Sequence, residues 1–281
     1  LGLLIPPSIM MIVYGVAAQV SISRLFIAGI LPGLLLLAIF SGFLMLWAMF
    51  NRDKLPEKTE ALPFMEKLRG SKLLIPVVLL IMTVIGSIYA GFATATEAAA
   101  VGVVGALLIA LCSGSLNRET FMASLMGAVC TSCMIFFILL GAAYLTSAMS
   151  FTGLPSALAD WIIAKQLSPY LLLLALTVLF IVLGCFLDGI SIILLTTAVV
   201  LPAVQAAGID LLWFGIFLIL VVEMAQITPP VGFKLFVIQN LTGYDMWKVA
   251  KASFPFFLLL VLAAILITAF PQIVLLLPQA M

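Results

Sequence analysis

Long apolar segments separated by short polar ones run through almost the whole chain. They predict helices over Leu1–Val20, Leu25–Phe50, Leu73–Cys112, Phe121–Ser150, Pro169–Leu187, Ile190–Ala207, Leu211–Leu241 and Ala252–Phe270. About 20 apolar residues suffice for a helix to cross a bilayer. One straight helix over Leu73–Cys112 would be about 60 Å long, twice the bilayer core, so we expect the chain to turn back near Gly91–Glu97.

Two stretches interrupt this pattern. Asn51–Lys72 carries charges of both signs and predicts an exposed connecting loop with a short amphipathic helix. Leu154–Lys165 is short and amphipathic, which predicts a helix lying along the membrane interface. Basic residues favour the cytoplasmic side of a membrane. With the connecting loop in the cytoplasm, only Arg24 and Lys165 of the twelve basic residues lie outside.

In this orientation, two similar motifs lie on helices of opposite direction. "LIPPS" (Leu4–Ser8) is on an outward helix and "ITPPVG" (Ile227–Gly232) on an inward one. A proline lacks the N–H group and clashes with the carbonyl four residues earlier, so two together unwind a helix. Within a membrane, unwound backbone is tolerated only where it faces protein, water or a ligand. Paired broken helices of opposite direction are typical of inverted-repeat transporters, with solute and ion held at the breaks.

The two breaks therefore supply the first candidate binding residues. These are Ser8, Pro6, Pro7, Thr228, Pro229, Pro230 and Gly232. The alternative, that the double prolines only kink their helices, stays open. We expect no more than a kink at the single prolines Pro32, Pro76 and Pro202.

A lone acid between two apolar arms is the second candidate. In "GCFLDGISII" (Gly184–Ile193), Asp188 is followed by Gly189 and Ser191. An acid inside a membrane segment is costly and by default marks a function. Carboxylate, hydroxyl and carbonyl oxygens suit a hard cation, so we predict a Na⁺ site at Asp188, Ser191 and Thr228. Alternatively, Asp188 caps the helix that begins near Ile190.

Four further polar residues are secondary candidates. Thr94, Thr96 and Glu97 in "GFATATEAAAVG" either face a site or form a capped turn between two helices. Glu223, one helical turn before the second break, is either a site acid or the partner of Lys234 or of water. We expect no lysine or arginine in the middle of the membrane. An anionic solute would then be held by the half-helices that begin near Pro7, Ile190 and Pro230, by hydroxyls and by bound sodium, or by an arginine from the missing N-terminal part.

The composition agrees with a membrane protein. Hydrophobic residues make up 65% of the 281 residues, charged residues only 8%, and the mean hydropathy is +1.39. Soluble domains have about 25% charged residues, so the chain is predicted to be an all-α polytopic membrane protein. A net charge of +1 without a basic run argues against nucleic-acid binding. Cys112, Cys130, Cys133 and Cys185 are expected to be small buried apolar side chains.

The absence of histidine limits the enzymatic alternatives. It excludes HExxH zinc proteases and Ser–His intramembrane proteases. An aspartyl protease would need a second acid sharing a proton with Asp188, and only Glu97 or Glu223 is available. A channel is the remaining rival, although isolated motifs do not form a ring of carbonyls. We therefore expect a carrier, not an enzyme.

Five motifs in order resemble one transporter family. They are "LGLLIPPSIMMIVYGV", "LFIAGILPGLLL", "GFATATEAAAVG", "FLDGISIILLTTAVVLPAVQAAGID" and "EMAQITPPVGF". Together they look like the large membrane subunit, DctM-like, of tripartite ATP-independent periplasmic (TRAP) transporters. The resemblance covers essentially the whole chain. Relative to that family the N-terminal part is absent, including the first re-entrant hairpin, and we expect sequence upstream of Leu1.

The resemblance implies a fold and its repeats. Such proteins are inverted-repeat, elevator-type carriers with discontinuous helices and re-entrant hairpins. Residues 1–50 would end the first repeat, 51–72 would form the cytoplasmic connecting loop, and 73–281 would be the second repeat. The second repeat would contain an outer hairpin at about 168–207, with its tip at Phe186–Ile192, and a broken helix at about 211–241.

The resemblance also implies the function. Such systems import an organic anion, for example a C4-dicarboxylate, a sugar acid or a sulfonate, with sodium as coupling ion and no cofactor. The implied partners are a periplasmic substrate-binding protein and a small four-helix membrane subunit, in a bacterial or archaeal cytoplasmic membrane. Asp188 and Ser8 would then be needed for sodium or solute binding. Proton coupling through Asp188 and Glu97 remains the alternative.

Overall fold

The computed structural model describes residues 2, 4–52, 71, 74–153, 157, 160, 168–229 and 232–280. Every regular element within these ranges is a helix. We number the α-helices in chain order: α1 Ile9–Ala18, α2 Ile22–Phe50, α3 Ile75–Tyr89, α4 Ala95–Cys112, α5 Arg118–Thr152, α6 Pro169–Gly184, α7 Gly189–Ala206, α8 Leu211–Gln226, α9 Phe233–Thr242, α10 Met246–Ala269 and α11 Gln272–Gln279.

The double prolines interrupt helices where the sequence predicts. Residues 4–8 are not helical, and α1 begins only at Ile9. Likewise α8 ends at Gln226 and α9 begins at Phe233, so Leu211–Leu241 is two helices. Proline chemistry explains the second break, because Pro229 and Pro230 have no N–H for the carbonyls four residues earlier. Pro230 itself lies outside the described residues.

The chain after each double proline follows the same course. A helix of 10 residues comes first, α1 in one case and α9 in the other. Each ends on a left-handed residue, Gln19 with φ 54° and Gly243 with φ 69°. After a short link a long helix follows, α2 with 29 residues and α10 with 24. The two motifs thus share their local structure as well as their sequence.

Two compact units divide the chain. Leu1–Ser41 and Met134–Met281 form the first, and Gly42–Cys133 forms the second, so α2 and α5 each contribute to both. Each unit is a set of residues that pack against one another. The predicted boundaries at residues 50 and 72 instead separate two repeats of the sequence. The predicted repeats therefore stay a prediction.

In the second unit, α3 and α4 pack together as a helical hairpin. The chain turns at Gly91, with φ +72°, and α4 starts after Thr94. The turn predicted near Gly91–Glu97 is thus confirmed. The kink predicted at Pro76 is wrong, because this residue lies in the first turn of α3, where the missing N–H costs no hydrogen bond.

In the first unit, α8 is the central helix. All its residues from Trp213 to Gln226 are buried, and it contacts α1, α6, α7 and α10. Two hydrogen bonds join its N-terminal end to neighbours: Tyr14 Oη donates to the Leu211 carbonyl at 2.7 Å, and Trp213 Nε1 donates to the Ile267 carbonyl at 3.1 Å. This packing makes α8 the support on which the site is built.

Helices α6 and α7 form a hairpin whose two arms meet at residues 185–188. α7 is bent by 64° between Gly189–Thr197 and Val199–Ala206. The bend lies four positions before Pro202, which fits the clash of a proline ring with the carbonyl four residues earlier. The predicted kink at Pro202 is confirmed, and Pro32 also lies inside its helix, α2.

The helices of the described residues agree with the predicted all-α, multi-pass membrane protein. Among the described residues, four helices are long and apolar enough to cross a membrane, or five if the bent α7 counts as one span.

Cys112, Cys130 and Cys133 are exposed, so the expectation of burial is wrong for these three and right for Cys185. Their apolar neighbours lie on outward-facing helix surface, because no residue of the most apolar 18-residue stretch of α5 is buried.

Other boundaries differ from the predictions in smaller ways. α10 begins at Met246 instead of Ala252, because the Asp245 side chain accepts a hydrogen bond from Trp247 N and caps the helix. α11 was not predicted. Most of the predicted loop at 51–72 and of the predicted interfacial helix at 154–165 lies outside the described residues.

Candidate functional site

The candidate site is the contact between two segments of the first unit. We call residues 184–191 the hairpin tip, and residues 226–232, of which 230 and 231 lie outside the description, the helix break. The hairpin tip joins α6 to α7, and the helix break joins α8 to α9. Both therefore consist of backbone that leaves one helix and enters another.

At the hairpin tip, Asp188 caps α7. Its Oδ2 accepts hydrogen bonds from Ile190 N at 3.0 Å and Ser191 N at 3.3 Å, and its Oδ1 accepts one from Ser191 Oγ. The capping alternative is thus observed. A carboxylate offers about four acceptor positions, so these three bonds leave capacity for a cation at Oδ1. Asp188 and Ser191 are half-buried and hydrogen-bonded to each other, and the sodium site stays a prediction.

The same bonds correct one expectation about anion binding. The first free N–H groups of a helix attract anions. In α7, however, the N–H groups of Ile190 and Ser191 already donate to Asp188. The start of α7 therefore offers fewer free N–H groups to a solute carboxylate than the sequence predicts.

Glycines allow the hairpin tip to lie directly against α8. A Cβ added at Gly184 would come within 2.2 Å of Ala225 Cβ. One added at Gly189 would come within 2.3 Å of Gln226 Nε2 and 2.4 Å of Met10 Cε. Since real Cβ contacts are never this short, no larger residue fits at either position without a shift. Because Gly184 and Gly189 have no side chains, the tip approaches α8 closely, and Asp188 lies beside the end of this helix.

A weak hydrogen bond joins the hairpin tip to the helix break. Cys185 Sγ donates to the Pro229 carbonyl at 3.4 Å. Within the break, Thr228 Oγ1 donates to the Met224 carbonyl at 2.8 Å. Gly232 has φ +45°, and a Cβ there would lie 2.9 Å from the Thr228 carbonyl oxygen and 3.1 Å from that of Gln226. Carbonyl oxygens of the break thus converge beside a glycine that leaves them room.

The first double proline reaches the same region through α1. Ser8 is buried and is the N-cap residue of α1, and Met10 contacts Gly189. The unwound segment before it packs on small residues of α2. A Cβ added at Gly29 would lie 2.9 Å from the Leu4 carbonyl oxygen, and one at Gly33 would lie 3.1 Å from Ile5 Cγ1. The structure thus brings the start of α1, the hairpin tip and the end of α8 together.

Glu223 proves to be the partner of Lys234, one of the two alternatives for this acid. Lys234 Nζ donates to Glu223 Oε2, while the other oxygen, Oε1, is buried and has no hydrogen-bond partner within the described residues. The absence of lysine and arginine from the middle of the membrane stays a prediction. The chain turns at the helix break and returns Lys234, in the first turn of α9, to the last part of α8.

Gln226 is a residue that sequence reasoning missed. It is the last residue of α8, only 3% exposed, and its amide nitrogen lies over Gly189. The available signal was a polar residue at the end of an apolar helix, immediately before a break.

The secondary candidates Thr94 and Glu97 form a capping box. Glu97 N donates to Thr94 Oγ1 at 3.3 Å, and Thr94 N donates to Glu97 Oε2 at 2.8 Å. The capped-turn alternative is thus observed. Thr96 is exposed on the same turn. These residues belong to the second unit, whereas the hairpin tip and the helix break belong to the first.

The donor set fits a hard cation. Asp188, Ser191, Thr228 and the carbonyls of the helix break offer only oxygen atoms, the ligands that sodium prefers. Within the described ranges, no group of three or more histidine, cysteine or acidic side chains is placed to hold a metal. A soft or multi-carboxylate metal centre therefore has no candidate there.

A cavity of about 790 Å³ lies between α1, α5 and α7. Most of its lining is apolar, with polar groups from Gln19, Ser147, Thr197 and Gln205. A cavity of this size is in the range that holds a small organic solute.

Comparison with known proteins decides the family. The family model described as the DctM component of the tripartite ATP-independent periplasmic transporter matches residues 1–273. The chain belongs to this family. The resemblance of the five motifs is thereby confirmed.

Similar proteins carry related names. The chain is 32% identical to the C4-dicarboxylate TRAP transporter large permease protein DctM of Pseudomonas aeruginosa, over 99% of the chain and 65% of that protein. It is 31% identical to the sialic acid permease protein SiaM of Vibrio cholerae, over 99% and 65%. It is 33% identical to the ectoine permease protein TeaC of Halomonas elongata, over 98% and 64%.

The chain thus spans just under two thirds of the length of these relatives. They are named as permease proteins of transporters and not as enzymes, which agrees with the expectation that the chain is not an enzyme.

Proposed function

We propose that this chain is the membrane-embedded part of a sodium-coupled importer of an organic anion. Membership of the DctM family and the names of its relatives support a TRAP-type permease. In this proposal a periplasmic substrate-binding protein delivers the solute and a small four-helix membrane subunit accompanies the chain in the cytoplasmic membrane. The solutes named for relatives include C4-dicarboxylates, sialic acid, ectoine and isethionate.

One observation carries the proposal: a capped acid on a hairpin tip lies against a helix broken by two prolines. Asp188 is presented by the tip, and Cys185 and Gly189 contact the helix break. Soluble proteins have no need to expose backbone carbonyls within apolar helices. In a membrane such breaks serve to bind polar solutes and ions.

We further propose an inverted-repeat, elevator-type fold. Its support is the shared course of the chain after the two double prolines, each with a 10-residue helix and a left-handed cap. The close contacts among α1, the hairpin and α8 support their movement as one body. This body would carry the bound solute between the two sides of the membrane.

Sodium would bind at Asp188 and Ser191, with Thr228 and carbonyls of the helix break as further ligands. Binding would neutralise the carboxylate and hold the tip and the break together. The membrane potential would then drive inward movement with about 2.3 kcal/mol per charge per 100 mV.

The test separates capping from ion binding at Asp188. Asp188→Asn keeps an oxygen that can accept from Ile190 N but removes the charge, whereas Asp188→Ala removes both. We expect the Ala variant to lose about 1 kcal/mol of stability, and the Asn variant less than that. We expect both to lose sodium-dependent uptake by the complete complex in proteoliposomes, since neither can neutralise a cation.

The measurement is uptake of labelled succinate, sialic acid, ectoine and isethionate at a series of sodium concentrations. Sodium-dependent uptake at the wild-type rate by Asp188→Asn would remove the carboxylate from the mechanism. Wild-type uptake driven by a proton gradient in sodium-free buffer would replace sodium with protons as the coupling ion.

A further inference from the structure

Gln226 is a buried polar side chain without an assigned role. It is 3% exposed and ends α8, whose residues from Trp213 onward are all buried. The other charged or amide side chain in this helix, Glu223, is paired with Lys234. Within the described residues, the Gln226 carboxamide makes no hydrogen bond. Glu223 Oε1 is the fully buried side-chain atom without a partner among the described residues, so the Gln226 amide, which makes no hydrogen bond there, is not completely enclosed and can be reached by a small partner.

The carboxamide is directed at the hairpin tip. Its Nε2 lies 2.3 Å from the position that a Cβ of Gly189 would occupy, next to the position of Met10 Cε at 2.4 Å and Val222 Cγ1 at 2.8 Å. Gly189 immediately follows Asp188. The amide of Gln226 is thus adjacent to the proposed binding site without being bonded to it.

The chemistry of the tip indicates what the amide can bind. The N–H groups of Ile190 and Ser191 and the Ser191 hydroxyl all donate to Asp188. These donors are therefore not available to an anion, whereas acceptor oxygens are plentiful at Asp188 and at the helix break. A carboxamide has two N–H donors. Gln226 therefore adds N–H donors beside a tip at which the Ile190 and Ser191 donors are already used.

We infer that Gln226 is a solute-binding residue whose amide N–H donates to a carboxylate or sulfonate oxygen of the transported anion. The inference rests on the proposed function and names one of its solute contacts. The solute would give the amide the hydrogen bonds that it does not make within the described residues. An amide can instead turn its oxygen toward a cation, and the experiment distinguishes these two possibilities.

The experiment compares Gln226→Leu, Gln226→Glu and the control Gln239→Leu in the complete complex. Uptake of succinate, sialic acid, ectoine and isethionate is measured in proteoliposomes against solute and sodium concentration. For the solute that wild type transports, Gln226→Leu should raise KM roughly 10- to 100-fold, because a charged acceptor loses its donor. The maximal rate and the half-saturating sodium concentration should stay within about twofold.

Gln226→Glu keeps the shape of the side chain but replaces both donors with acceptors. It should raise the KM for an anion at least as much as Gln226→Leu, since like charges repel. Gln239→Leu, on half-buried α9 surface, should leave both constants unchanged. The melting temperature of Gln226→Leu without solute should equal or exceed that of wild type, because the substitution removes no hydrogen bond within the described residues.

Three results would overturn the inference. An unchanged KM in Gln226→Leu excludes a solute contact. A half-saturating sodium concentration that rises in Gln226→Leu and falls in Gln226→Glu, at constant KM, identifies Gln226 as a cation ligand instead. A clear loss of melting temperature in Gln226→Leu shows that the amide is bonded within the fold. Failure of wild type to transport any of the four solutes would overturn the proposed function itself.

Discussion

Replacing Lys234 with methionine removes the positive partner of an almost completely buried carboxylate. The side chain of Glu223 is 7% exposed and that of Lys234 is 31% exposed, and Glu223 Oε1 already has no partner within the described residues. Breaking a fully buried pair costs about 3–5 kcal/mol, because one charge remains unpaired. Since Lys234 is partly solvated, we expect the lower end, about 3 kcal/mol, for Lys234→Met.

The reverse change should cost less. Glu223→Gln leaves an ammonium group whose flexible side chain can turn toward solvent, so we expect a loss of about 1 kcal/mol. The double variant Glu223→Gln/Lys234→Met has no unpaired charge and should lie within about 1 kcal/mol of wild type. The two losses are therefore strongly non-additive.

Thermal unfolding of the purified protein in detergent measures all three variants. With about 2–4 °C per kcal/mol for a chain of this size, Lys234→Met should melt about 6–12 °C below wild type and Glu223→Gln about 2–4 °C below. Lys251→Met, at an exposed position, is the control and should shift the transition by no more than about 2 °C. Equal losses for the two single variants, or a double variant as unstable as their sum, would refute the asymmetric buried pair.

Two further substitutions test the packing that positions the site. Gly184→Ala places a methyl group 2.2 Å from Ala225 Cβ, which no rotamer change relieves, so we expect a loss of about 1–3 kcal/mol and reduced uptake. Gly127→Ala in α5, where a Cβ meets nothing within 4 Å, should melt at or above wild type; equal behaviour of the two would contradict the close contact. Tyr14→Phe removes the 2.7 Å bond to the Leu211 carbonyl and should lower stability by about 1 kcal/mol in the same assay. A wild-type melting temperature for this variant would show that the bond contributes nothing.

The features that local chemistry fixes were predictable from the sequence. Pro6–Pro7 and Pro229–Pro230 lack the N–H groups that a helix needs, so the breaks follow from covalent structure. Asp188 precedes a helix start, which accounts for its capping as readily as for an ion site. The turn after Tyr89 follows from glycine and a capping box. Each of these needs only a few neighbouring residues.

The features that depend on tertiary contacts were not predictable. Lys234 and Glu223 are eleven positions apart across a break, and only the direction in which α9 leaves the break brings them together. The direction of the Gln226 amide likewise depends on where the hairpin packs. The burial of cysteines was misjudged because an apolar sequence does not distinguish a side chain facing protein from one facing lipid.

The contacts at the candidate site fall into two groups of different strength. The bonds from Ile190 and Ser191 to Asp188 lie within the hairpin and do not require α8. The contacts between hairpin and α8 consist of glycine packing and one S–H···O bond from Cys185, which are individually weak. The tip therefore keeps its acid in place whether or not it touches α8. It follows that Gly184→Ala perturbs the position of an intact tip, whereas Asp188→Ala perturbs the tip itself. Gly184→Ala should then keep sodium-dependent uptake at a reduced rate, whereas Asp188→Ala should lose it.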